Sequence, residues 1–350
     1  MGIDNECTLA KSTIFEAEIR RRLWWSLVFF DNRASEMASH RSTILTPIWD
    51  CNIPLNVNDS DLWPEMKDPP AVRNQFTDAI FTVVRSELGE FVRHSAFHLD
   101  FHAPAFKVIA KGGQLDDLER MIEEKYLRFC DPEHPVHFMT TWTTRAYLAR
   151  SHVMQYYAKY PDPTLPQPES ERHAAVSNAI CMLDADTRLL ASPLTKGFWW
   201  MNNMWFPAFA YMHITQYLKW RSAGDLAEQS WKAMSDNYET RFLPRLEEGR
   251  TFFKMFSRII IRAWEACEAS SEEELTPPRI VTSIRQLIRQ NEKAQFPTEG
   301  TNLDITVDDL YMSTGVTDYN LSMPTAPHIM GHPSFDATMN QFGWGVVNMG

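Results

Sequence analysis

The chain has 350 residues, a formal net charge of −11, 44% hydrophobic and 12% aromatic residues, with 21 prolines against 13 glycines. This length suits one large helical unit or two packed lobes, and the acid excess denies the chain as a whole the basic field that draws proteins to nucleic acid. Cys7, Cys51, Cys130, Cys181 and Cys267 are widely spaced and odd in number, without a C-x-x-C pair, which suits a reducing compartment better than a disulfide framework.

The first strong pattern is EAEIRRRLWWSLVFFDNRASE, residues 16–36. Glu16 and Glu18 each precede an arginine, Arg20 and Arg22, by four residues, the favourable order for helix pairs, and Leu23, Leu27 and Phe30 continue at helical spacing. A helix whose second half is buried nearly all round is predicted, and the triple arginine reads as helix-capping or salt-bridging rather than as an import or phosphate signal. The apolar run from Leu23 to Phe30 falls short of the roughly 20 residues of a membrane span, and the opening residues match neither a secretory signal nor a myristoylation site. No membrane attachment is therefore expected.

Residues 46–65 mix Pro, Asn and Asp without either period and predict a long ordered loop, pinned across the helices by Ile48, Trp49, Ile53, Leu55, Leu62 and Trp63. Helical patterns follow over 71–97 and 115–129, the second with a stripe of Leu115, Leu118, Ile122, Tyr126 and Phe129. A proline-marked turn occupies 130–138. Further helices are predicted over 139–160, 171–190, 197–220 with a break at Pro207, 227–238, 243–268 and 278–290. No run alternates as a strand does, so the fold class is all-α. Residues 1–15 read as a lead-in and 16–293 as one helical domain.

Residues 294–350 contain no Lys or Arg, and carry Glu299, Asp304, Asp308, Asp309, Asp318 and Asp336 among apolar islands such as Leu310 to Met312 and Phe342 to Trp344. That composition predicts a disordered tail, either an acidic activation segment or an inert extension.

Three sets of residues offer chemistry. His94, His98 and His102 recur every four residues and would share a helical face as metal ligands, although Pro104 argues that the helix ends there. Trp199, Trp200, Trp205, Phe206, Phe209 and Tyr211 would line an apolar pocket for a small ligand. Two acidic pieces, Asp116-Asp117-Leu118-Glu119 and Asp236-Asn237-Tyr238-Glu239, invite comparison with class I terpene cyclases, which hold a diphosphate through magnesium. Neither piece matches D-D-x-x-D or N-D-x-x-S-x-x-x-E. Nucleotide-binding glycine loops and the G-x-S-x-G nucleophile motif are absent.

The pattern E-x-R-R-R-L-W-W-S-L-x-F-x-D-x-R-x-S-E at 18–36, followed by IPLNVNDSDLWP at 53–64, resembles the regulatory middle region of fungal zinc-cluster transcription factors. Arg20, Arg21, Arg22, Trp24, Trp25, Asp31, Arg33, Asn58 and Asp59 carry the likeness. Residues 118–150, with their Y-L-x-x-C-D-P-x-x-P turn, look like the next part of that family, so the resemblance spans about 16–268. It implies a helical regulatory domain that forms a homodimer or a heterodimer with a related factor, works in the nucleus and responds in some members to a small metabolite; the acidic tail, on its composition, would touch the transcription machinery. Zinc is implied only for a six-cysteine DNA-binding module, which these cysteines do not form, so direct DNA contact by this chain is not expected. The alternative is a cytoplasmic magnesium-dependent lyase or cyclase on the same scaffold.

Overall fold

A computed structural model describes residues 2–37, 48–72, 77–95, 113–160, 166–203, 205–221, 223–243, 249–271 and 274–295. Among these residues the secondary structure is eleven α-helices and short 3-10 turns, with no strand. The chain divides into two compact units, the first ending at Ala210 and the second beginning at Tyr211. The expected tail over 294–350 lies outside the described residues from 296 onward.

The first unit opens with α1 (Glu6–Leu9), whose N-cap Asn5 accepts a hydrogen bond from the Thr8 N–H at 3.2 Å, replacing one of the partners that a helix start lacks. The lead-in is thus folded: Leu9 is fully buried. Helix α2 (Ile14–Met37) carries the arginine and tryptophan motif; it buries Trp25 and Val28 but leaves Leu23 and Leu27 exposed, so its second half is buried on one side and not nearly all round. Helix α3 (Ile80–His94) begins nine residues later than the sequence pattern suggests. The reason lies in its approach: Asp78 Oδ2 accepts from the Asp59 N–H at 3.2 Å and the Thr77 hydroxyl donates to Asn56 Oδ1 at 2.6 Å. These contacts tie the segment to the loop before it can turn into helix.

Helix α4 (Leu115–Lys125) buries Leu115, Leu118 and Ile122, an i, i+3, i+7 stripe, against Ile80, Val83, Val84 and Leu88 of α3. Each such side chain contributes about 1.5–3 kcal/mol by leaving water. The stripe changes pitch at its end, where Leu127–Phe129 forms a 3-10 turn. Pro135 then occupies the first turn of α5 (Pro135–Lys159), where its missing N–H is no loss. Helices α5 and α6 (Glu169–Ala191) form an antiparallel hairpin: Lys159 reaches Glu171 at 2.7 Å at one end, and Arg188 lies 4.5 Å above the Trp142 ring at the other. Helix α7 (Trp199–Asn203) precedes Pro207, and α8 (Ala208–Trp220) starts directly after it. The proline divides the segment, as its lack of an N–H requires.

The second unit takes most of α8 with α9 (Asp225–Phe242), α10 (Gly249–Ser270) and α11 (Arg279–Gln295). Its core contains Ile214, Leu218, Met234, Ile260, Ile280 and Ile284, all fully buried, with Trp231 edge-on to Trp264 at 5.6 Å. Gly224 takes φ +106° before α9, a conformation that glycine adopts without strain.

Candidate functional site

The motif on α2 builds a buried polar network. Glu18 is completely buried and accepts from Arg22 Nε at 3.0 Å and from the Leu55 N–H at 3.1 Å. Burial pushes its carboxyl upward, opposed by the hydrogen bond and charge of Arg22. Arg22 also donates to Asp59 at 2.7 Å, and Arg20 donates to the Ser12 hydroxyl at 2.7 Å. Arg21 grips Glu6 with two parallel bonds, Nε to Oε1 at 2.9 Å and Nη2 to Oε2 at 2.6 Å, and this pairing holds the Glu6 carboxyl below its ordinary range. All three arginines of the triplet therefore bind inside the chain.

The loop over 48–66 is held to the same helix. Trp25 donates its indole N–H to the Asn52 carbonyl at 3.0 Å, and Trp24 and Trp25 both meet Trp49 edge-on, at 5.3 and 5.2 Å. Asn58 accepts from the Asp78 N–H at 3.2 Å. Val57, Leu62 and Met66 bury themselves against Ile14 and Phe15, whereas Ile48 and Trp63, expected to pin the loop, are 70% and 52% exposed. In the C-terminal half of α2, Asp31 faces a half-buried environment and Arg33 lies 5.0 Å above the ring of Trp205.

Beside this network α2, α3 and α5 line a small recess of about 20 Å³, room for a water molecule. Trp25, Phe29 and Asn32 line it from α2, Arg85, Leu88 and Gly89 from α3, and Tyr147 from α5. The spacings i, i+4, i+7 and i, i+3, i+4 put these residues on one face of each helix. A Cβ on Gly89 would stand 2.9 Å from Trp25 Cζ3, so glycine is what lets the tryptophan ring lie against α3. Arg85 lies over the rings of Phe29 and Phe81.

Arg85, Gly89 and Tyr147 lie outside the sequence motifs. The signal was present: Arg85 interrupts the apolar stripe of Phe81, Val84 and Leu88, and Gly89 is a glycine inside a helix.

The six aromatic candidates lie elsewhere. Trp200 is 59% exposed and stacks with Phe30 at 6.3 Å, Trp205 meets Phe29 at 4.6 Å, and Arg150 lies 5.4 Å above Phe209. Trp199 and Phe206 are half-buried in the first unit. Tyr211 belongs to the second unit, fully buried, with its hydroxyl donating to Asn237 Oδ1 at 2.9 Å. None of the six is in the lining of the recess.

Asp236 is occupied by Lys232 at 2.7 Å and by Arg279, which also donates to Glu239 at 2.9 Å. Burial raises the Asp236 carboxyl, and these two cations outweigh it and hold it below the ordinary range. Asp116 and Asp117 are exposed at the start of α4, Asp117 pairing with Arg120 at 3.3 Å. Asp116, Glu119 and His152 bring one potential ligand atom each to within 4.8 Å of one another, with His152 hydrogen-bonded to Glu119 at 3.0 Å. His94 ends α3 with Nδ1 3.1 Å from the Glu90 carbonyl; His98 and His102 lie outside the described residues. Burial pushes the Cys51 thiol up to about 12, far from the thiolate that metals take. Among the described residues no helix is long and apolar enough to cross a membrane.

Residues 2–85, which hold α1, α2, the loop and the recess face of α3 up to Arg85, match the fungal specific transcription factor domain. The chain is 46% identical over 301 residues to the transcriptional regulator AacuB of Aspergillus aculeatus, covering 83% of this chain and 41% of that protein. It is 38% identical over 347 residues to the transcriptional regulator nsrM of Aspergillus novofumigatus, covering 95% of this chain and 46% of the relative. The aurofusarin cluster transcription factor aurR2 of Gibberella zeae is 28% identical over 304 residues, 82% of this chain and 44% of its own length. The chain thus spans less than half the length of the curated relatives it matches. No solved structure matches it. These relatives lend no support to a cyclase, and with the motif network of α2 they establish that the chain belongs to the fungal specific transcription factor domain family.

Proposed function

We propose that this chain is the regulatory and effector portion of a fungal transcription regulator that controls a biosynthetic gene cluster. The observation that carries the reading is the likeness to AacuB and nsrM over 83% and 95% of the chain. The name of aurR2 ties that relative to a cluster, which supports the narrower part of the reading. On this account the chain works in the nucleus through protein contacts, as a homodimer or as a heterodimer with a related factor, and makes no DNA contact of its own. Residues 294–350 serve as the acidic segment that meets the transcription machinery. No metal or other cofactor is required.

The test fuses the chain to an unrelated DNA-binding domain upstream of a reporter in a fungal host. Activation that disappears on removal of residues 294–350 is the expected result. A fusion that reaches the nucleus at normal abundance and leaves the reporter silent would overturn the effector reading.

A further inference from the structure

We propose that the outward face of α2 is the seam of a homodimer, in which α2 packs antiparallel against α2 of a second copy of this chain. Such a pair rests on the dimer part of the proposed function, to which it gives one partner and one surface, and not on the effector part.

Ile19, Leu23 and Leu27 recur every four residues along α2 and are 42%, 50% and 43% exposed. Phe30, half-buried, and Ala34, exposed, continue the same stripe. The inward side of the helix is already filled, with Ala17, Trp25 and Val28 in the core, so these residues form a second apolar face on one helix. Trp200 of α7, 59% exposed, stacks on Phe30 with the ring planes 18° apart and widens the face at that end. From Ile19 to Ala34 the stripe runs about 22 Å at 1.5 Å of rise per residue. Contiguous apolar surface of this kind marks an interaction site, whereas a single exposed ring such as Trp220 does not.

The charges at its border select the occupant. At 100° per residue, Arg20 and Asp31 stand on the same flank of the stripe, about 60° and 80° round from Leu23. A two-fold axis perpendicular to α2 and centred between Leu23 and Leu27 sets each of these leucines against the other in the second copy. It keeps each flank on its own side and reverses its direction. Arg20 therefore comes opposite Asp31 of the second copy, to within about 1.5 Å along the helix, and the pairing occurs twice. Within its own chain Arg20 holds the Ser12 hydroxyl at 2.7 Å and no acid among the described residues. A parallel pair would turn Arg20 toward the flank of Arg22 instead. Residues 294–350, with six acids and no cation, suit the face less, because Glu16 and Asp31 both border it.

Four turns of helix and one indole per copy lie at the weak end of the interface size range, so dissociation is expected at roughly 1–10 µM. Sedimentation equilibrium of the purified full chain, from about 1 to 100 µM, measures it. Leu23→Glu and Leu27→Glu change residues already exposed, and each acts twice in a two-fold pair. Each should weaken the dimer roughly a hundredfold or more and leave the fold intact by circular dichroism. Arg20→Asp and Asp31→Arg should each weaken it roughly tenfold, and the double variant should recover most of that loss. Asp31 also has contacts within its own chain. If Asp31→Arg fails to fold, an oxidised mixture of Leu23→Cys and Leu27→Cys chains decides the register, since these should cross-link to each other faster than to themselves. A chain that stays monomeric at about 100 µM, a dimer indifferent to both glutamate variants, or a charge swap that restores nothing would each overturn the proposal. So would a monomer whose α2 amides are protected from exchange only while residues 294–350 are present, which would give the face to the tail. A silent reporter with the dimer intact would sink the effector reading alone; an active reporter from a strictly monomeric chain would sink this pair alone.

Discussion

Arg21 and Arg85 are both held among helices of the first unit, yet the Nε and Nη2 edge of one grips a carboxylate and that of the other meets none among the described residues. The difference comes from what the chain folds over each. The lead-in brings Glu6 to Arg21, and the loop brings the Leu55 N–H and Asp59 to Glu18 and Arg22. At the recess the covering groups are rings. A buried charge is tolerated where the chain itself supplies the compensation; over Arg85 the chain supplies ring faces.

The strongest way to break this comparison is to empty the filled side. Glu18→Leu leaves the Leu55 N–H without its acceptor and Arg22 with only Asp59, and should lower stability by about 3–5 kcal/mol, the usual cost of stripping one partner from a buried pair. Chemical denaturation of the first unit, followed by tryptophan fluorescence, measures it. A loss below about 1 kcal/mol would mean that Arg22 and water compensate locally.

The second unit meets burial in a third way, by discharge. His213 lies inside α8 at 5% exposure, and burial pushes its imidazole down to about 4 from 6.5. The unfolded chain takes up a proton that the folded one refuses, so this contribution is complete above pH 6.5 and is lost as pH falls toward 4. The full loss is roughly 3 kcal/mol on the linkage relation. Unfolding free energy should fall across that window, and His213→Leu should flatten the slope. An unchanged slope in the variant would assign the acid sensitivity to carboxylates instead.

Helix α3 supplies two smaller tests. Gly89→Ala forces the Trp25 ring off a contact that would shrink to 2.9 Å, with its indole N–H held by Asn52. Overpacking of this kind costs about 1–3 kcal/mol. Arg85→Met, by contrast, should leave stability unchanged or raise it by about 1 kcal/mol, because it removes a largely buried charge and keeps the stem's volume. A clear loss of stability would show that the stacked rings alone compensate the guanidinium.

How much of this was legible in the sequence depends on how local each signal is. Helices α4, α5 and α6 follow from periodicity and from prolines beside their ends, and the loop over 48–66 from its Asn, Asp and Pro content. The start of α3 was not legible, because Thr77 and Asp78 spend their side chains on Asn56 and Asp59, partners about 20 residues away in the chain. The arginine triplet looked structural from its i, i+4 glutamates, but Arg21 in fact reaches Glu6, fifteen residues back. The aromatic segment from Trp199 to Tyr211 drew attention by density alone. Density does not specify where rings point, and the chain sends them to separate neighbours.

The smallest expected effect separates the rim of the filled network from its centre. Asp59 binds Arg22 at 2.7 Å, but its side chain is 74% exposed, whereas that of Glu18 is wholly buried. Water and salt screen the first pair and cannot reach the second. Asp59→Ala should therefore cost about 0.2–1 kcal/mol in dilute buffer, and the loss should shrink in roughly 1 M salt, where the Debye length falls to about 3 Å. The Glu18→Leu deficit should persist in the same salt. If both deficits shrank together, the network would be a surface electrostatic one throughout, and the contrast with Arg85 would rest on exposure rather than on pairing.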